Sequence, residues 1–238
     1  MKKSLLVGLL ILTSVCFIFG QAKTLDANNG MYIYLNGSKT TLTEDEYLSY
    51  AKSIGYSVYN KYKNDEFEWY DQFQTLKQKL DNSVANADLT STYTIVTSVN
   101  FGDYDFSQGG FPVAIGEGTF FPLGTVDKGW NADYKSIFAK TIALKLDAFF
   151  DSYNFLEMEK DAAKTFLQSR KNSYGNVNRE ITLEITYKIA SYDSAEYKSF
   201  ANLALANDYI PVVGIIEKIV VYDTTGRNVK QLGNLIKK

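Results

Sequence analysis

Behind the stretch TEDE at 43–46, apolar residues Tyr47, Ala51, Ile54, Val58 and Tyr62 recur at helical spacing and draw one continuous stripe. Thr43 stands where a helix N-cap accepts a backbone N–H, and Glu46 stands where its carboxylate reaches back, so the spacing predicts a capping box. KND at 63–65 interrupts the pattern, and Trp69, Phe73, Leu76, Leu80 and Val84 begin a second stripe. Two stripes across a short polar break predict a helical hairpin or a pair of helices packed on a sheet. From Thr92 the period falls to two. Tyr93, Ile95, Val99 and Phe101 alternate with polar neighbours, as do Ile142, Leu144, Leu146 and Ala148 further on. The cleanest alternation is REITLEITYKIA, with Ile181, Leu183, Ile185, Tyr187 and Ile189 on one face and Glu180, Thr182, Glu184, Thr186 and Lys188 on the other. Strands with one apolar and one wet face favour an antiparallel sheet over a parallel one.

Between these strands, EMEKDAAKTFLQSRKN is rich in helix formers and aligns Met158, Ala162, Phe166 and Ser169 along one side. A short helix and a hairpin turning at Asp223 to Gly226 close the chain. The expected fold is therefore α+β: a mostly antiparallel sheet with N-terminal helices and one or two further helices packed on it. One domain is expected over 23–238, helical over about 43–85 and sheet over about 92–235.

The first 22 residues change the picture of where the chain works. Lys2 and Lys3 precede an apolar run from Leu5 to Phe19, and small residues follow at Gly20 and Ala22, the layout of a secretory signal peptide. The run falls short of the about 20 apolar residues that cross a bilayer. Cys16 raises lipidation, but Thr13, Ser14 and Val15 lack the small residue such a site needs, so a lipoprotein is not expected. The expectation is an exported chain, periplasmic or extracellular, with no transmembrane span after cleavage.

Removing Lys2 and Lys3 lowers the basic count from 25 to 23 against 27 acidic residues, a net charge of −4. Nucleic acid is a poor partner for such a chain, since its recognition needs a concentrated positive field. The sequence has no histidine, and its one cysteine is Cys16. Ser-His-Asp and Cys-His catalysis need an imidazole to move the proton and are excluded, as is a disulfide once Cys16 is gone. Zinc, haem and iron–sulfur sites lose their usual ligands as well.

Five constellations remain. FGDYDFSQGGFPV at 101–113 places Asp103, Asp105 and Ser107 as the D-x-D-x-S start of a calcium loop, but Gln108 stands where a glycine must turn and Ala114 where a bidentate glutamate should be. Gly102, Asp103, Gly109 and Gly110 also suit a plain turn, which is the preferred reading. Calcium through another geometry, with Glu117 as an added donor, is the alternative. Arg170, Lys171 and Arg179 form a basic island around an Asn- and Gly-containing turn, able to hold a small anion or carboxylate, or simply to cap a helix C-terminus. SYAK at 49–52 matches S-x-x-K without its companion motifs, and GEGTFF at 116–121 lacks the third glycine of a dinucleotide loop. Trp69, Tyr70 and Trp130 could stack sugars beside a carboxylate pair, or fill the core.

On YDF followed by FP at 104–112, SRKN and NRE across 169–180, and the terminal VVYD strand and turn, the chain resembles an exported bacterial family catalogued as a domain of unknown function, number 4852. The resemblance is expected over most of the mature chain. It implies envelope localisation and no assigned reaction, and it supplies no catalytic residue. The expected role is a non-enzymatic binding or structural module without a cofactor, working with an envelope component or another exported protein. A carboxylate-dependent glycan hydrolase and a calcium-dependent binding module are the alternatives.

Overall fold

The computed structural model of the chain describes residues 23–115, 120–126, 135–146, 152–206, 208–226 and 228–237. The expected signal segment 1–22 with Cys16, and also Glu117, Trp130 and Ala148, lie outside the described residues.

The first helix, α1 (Ala27–Ser38), has no counterpart in the periodicity of the sequence. Asp26 caps it by accepting from the Asn29 N–H at 2.8 Å, and Met31, Ile33, Tyr34 and Leu35 are all buried. Burial around so much of its circumference removes the polar face that periodicity detects. Helix α2 (Glu44–Ile54) carries the expected capping box: Thr43 Oγ1 accepts from Glu46 N at 3.3 Å, and Glu46 Oε2 accepts from Thr43 N at 2.8 Å. The expected stripe to Tyr62 does not run on as one helix. Gly55 breaks it, a separate short helix α3 (Tyr56–Tyr62) follows, and the residues that α2 buries are Ser49, Tyr50 and Ala51, leaving Ile54 exposed. Helix α4 (Glu66–Ala85), capped by Asp65, buries Phe73 and Leu80 as its stripe requires.

Eight strands follow among the described residues: β1 (Thr92–Asn100), β2 (Gly110–Pro112), β3 (Phe120–Thr125), β4 (Thr141–Leu146), β5 (Tyr153–Glu157), β6 (Glu180–Ile189), β7 (Tyr209–Asp223) and β8 (Lys230–Lys237). Helix α5 (Lys160–Ser169) lies between β5 and β6, and α6 (Ala195–Ala206) between β6 and β7. The sheet runs β1-β6-β7-β8-β5-β2, with β4 also paired to β7 and β3 to β4. The architecture is α+β and the sheet mostly antiparallel. The exception is β4, which runs parallel to the first half of β7 with Ile142 opposite Ile210. Physical cause is visible in burial: Ile142, Leu144 and Leu146 enter the main core while Ala143 enters a second cluster with α6, so β4 is apolar on both faces, as parallel strands are.

The main core lies on one sheet face, where Met31, Tyr50, Leu80 and Phe166 meet Ile181, Leu183, Ile185 and Tyr187 of β6. On the other face, Tyr197, Phe200, Ala201 and Ala204 of α6 cover Ala143 and Val213. In α5 burial does not follow the alignment of Met158, Ala162, Phe166 and Ser169. Ala163 and Phe166 are buried, whereas Ala162 and Ser169 are exposed.

Candidate functional site

At one end of the sheet, the loop after β1, the turn before β6 and the β7–β8 hairpin come together around α5. In the first loop, Asp105 holds the turn closed. Its Oδ1 accepts from Ser107 N at 2.8 Å, Ser107 Oγ at 2.6 Å and Gln108 N at 3.0 Å, and its Oδ2 accepts from Gln108 Nε2 at 3.1 Å. The Ser107 hydroxyl, followed by the backbone donors, holds the Asp105 carboxyl below its ordinary pKa. Gly109, at φ +73°, supplies the left-handed residue the turn needs, and Gly109 N donates to Asp105 O at 2.8 Å. The turn is docked to the start of α5: Tyr104 Oη donates to Met158 O at 2.9 Å, and its ring meets Phe106 and Phe111 edge-on.

Asp103, the first of the metal candidates, points elsewhere, onto Arg179 Nη2 at 2.5 Å. The structure thus pairs a predicted metal ligand with a predicted anion ligand and leaves Asp105 and Ser107 bonded to each other. Among the described residues there is no group of three or more His, Cys, Asp or Glu side chains that could hold a metal ion.

The basic turn is divided between interior and surface. Arg170 ends α5 with its side chain fully buried. Its Nε donates to Asn178 O at 2.7 Å, its Nη2 to Glu180 O, and its Nη1 stands 2.6 Å from Asp223 Oδ1. Its guanidinium lies over Phe166 and Phe101, 4.9 and 5.6 Å from the ring centroids, and Arg179 lies over the same Phe101 ring at 5.5 Å. Arg179 Nη1 also donates to Gly102 O. Lys171 is exposed and pairs with Val177 through its backbone. The two arginines therefore share a ring, but their donors face internal acceptors. Burial pushes the Asp223 carboxyl up, yet the Thr225 hydroxyl and N–H and the Arg170 guanidinium outweigh it and leave its pKa below the ordinary value.

Beside this ion pair, between α5 and the β7–β8 hairpin, lies a groove of about 690 Å³ that the sequence did not reveal. Asp161, Ala162, Thr165 and Ser169 form the helix wall; Asp223, Lys230, Gln231 and Leu232 form the hairpin wall; Met158 and Phe166 add apolar surface. Ala162 and Ser169 thus face the groove together with Met158 and Phe166, the residues with which their spacing aligns them. A volume of this size is that of a small-molecule site. Asp161 and Lys230 carry opposite charges, and neither has an ion-pair partner among the described residues.

The other candidates lie apart from this end. Trp69 meets Tyr59 edge-on at 5.1 Å and Phe73 in a tilted contact at 5.8 Å, while Tyr70 is exposed. Ser49 is buried, and Lys52 Nζ lies 5.6 Å over the Tyr59 ring, with no hydrogen bond joining the two.

A family model described as a domain of unknown function (DUF4852) matches residues 43–169. That span runs from the Thr43 cap to the last residue of α5. It takes in the 101–113 turn and the helix wall of the groove, but stops before the basic turn and the hairpin. The match takes in 127 of the 216 residues of 23–238, in line with the expected reach over most of the mature chain. No curated protein and no solved structure matches the chain.

Proposed function

Because the chain belongs to the DUF4852 family, whose description names no activity, its role must be argued from its own residues, and we propose that it is an exported envelope protein acting as a non-enzymatic binding module. The observation that carries the reading is the groove between α5 and the hairpin, with apolar surface from Met158 and Phe166 and polar groups on both walls. The signal-like residues 1–22 support export. No helix among the described residues is long and apolar enough to cross a membrane.

Asp161 and Asp223 both line the groove, which is the specific observation in favour of the rival reading, a carboxylate-dependent glycan hydrolase. General acid catalysis needs a carboxyl that keeps its proton near neutral pH. Asp223 is biased the other way by its donors and Arg170. Glu184, whose carboxyl is pushed up by burial, is not in the groove lining. The test has two parts. Mass spectrometry of the exported protein should place its N-terminus near Gln21 or Lys23, and an acylated Cys16 would overturn the lipid-free reading. Incubation with envelope glycans should release no product; turnover abolished by Asp161→Asn would replace the module with the hydrolase.

A further inference from the structure

The groove has opposite charges on opposite walls. Asp161 stands on the helix wall and Lys230 on the hairpin wall, at the residue paired with Asp223 across the hairpin. Both line one concavity, yet no ion pair forms between them, and Asp223 is already occupied by Arg170 and Thr225. Phe166, Met158 and Leu232 of the hairpin line the same concavity. A purely anionic ligand would gain Lys230 but meet Asp161 as a like charge, and a purely cationic ligand would do the reverse. A neutral ligand would leave both charges to water. One chemical class satisfies both walls at once.

We infer that the groove binds zwitterions: small molecules with a free ammonium for Asp161, a free carboxylate for Lys230 and an apolar segment to lie on Phe166 and Leu232, as in a short peptide or a bulky amino acid. This rests on the groove being the binding face, and it adds the class of ligand. The arrangement sets a selection rule. Blocking either terminus of the ligand removes one attraction and leaves the facing protein charge unpaired in the bound state, so both blocked forms should be rejected.

The experiment is isothermal titration of the protein with leucyl-alanine, with its N-acetyl form and with its C-terminal amide. Expected is binding of the free dipeptide and loss of at least about tenfold in affinity for each blocked form, a difference of about 1.4 kcal/mol. Asp161→Asn should abolish the discrimination against the N-acetyl form while keeping that against the amide, and Lys230→Met should do the converse. Such split effects would not arise from a merely unfolded variant. Ala162→Trp, which fills the groove without touching either charge, should abolish all binding. Equal binding of the three peptides, absence of binding by any, or binding indifferent to Ala162→Trp would each overturn the inference. Equal binding that Ala162→Trp removes would still leave the groove as a binding face, so loss of the ligand class is distinguishable from loss of the site.

Discussion

Asp223→Asn removes the counter-charge of Arg170 while preserving shape. The Arg170 side chain is 0 % exposed and that of Asp223 is 16 % exposed, so the variant leaves a guanidinium buried without its carboxylate. Breaking a buried ion pair from one side costs about 3–5 kcal/mol. The lower end, about 3 kcal/mol, is expected because Arg170 keeps two carbonyl acceptors and the Phe101 and Phe166 rings. For a chain of this size that corresponds to a fall in Tm of about 6–12 °C, read by circular dichroism with urea midpoints as a second measure. The pH dependence has a fixed sign. A carboxyl whose folded pKa is depressed contributes stability that is full above the unfolded value and is lost as pH falls through the folded one, so the wild type should weaken below about pH 4 and the variant less so. The double variant Arg170→Met with Asp223→Leu should recover most of the loss, since an apolar pair of similar volume replaces the ion pair. An Asp223→Asn cost below about 0.5 kcal/mol, the size of an exposed pair, would refute the reasoning.

Three further outcomes follow from the same geometry. Gly109→Ala places a Cβ at φ +73° and should cost about 1 kcal/mol in urea melts; an unchanged midpoint would mean the turn tolerates another conformation. Thr43→Ala removes one half of the capping box and should cost about 1 kcal/mol, whereas Thr43→Ser should be close to neutral in the same melts. Saturating calcium should leave the Tm unchanged, because Asp103 is engaged by Arg179 and Asp105 by its own turn. A rise of a few degrees that vanishes on joint Asp103→Asn and Asp105→Asn substitution would instead establish a calcium site.

The parts of this fold that local chemistry dictates were legible in the sequence. Thr43 and Glu46 announce their cap within four residues, and β6 shows its two faces because Ile181 to Tyr187 alternate in a strand with one apolar side. Helix α1 was hidden for the opposite reason. Asn28, Asn29 and Gly30 read as turn residues, but a Cβ at Gly30 would come within 2.8 Å of Ile142 Cγ2, so the glycine serves close packing inside a helix. The 170–180 turn was recognisable as basic, but not the direction of each guanidinium, which depends on Asp103 and Asp223 arriving from distant parts of the chain. The groove was unreadable because its walls are brought together by the pairing of β8 with β5 and by the Arg170–Asp223 ion pair, contacts between segments far apart in sequence.

The central claim, that the groove between α5 and the hairpin is the binding face, is tested most directly by amide NMR of the protein titrated with amino acids, dipeptides and disaccharides. The account predicts shifts gathered at residues 158–169 and 223–232, absent in Ala162→Trp. Shifts confined to other surfaces, or none with any of these compounds, would contradict it.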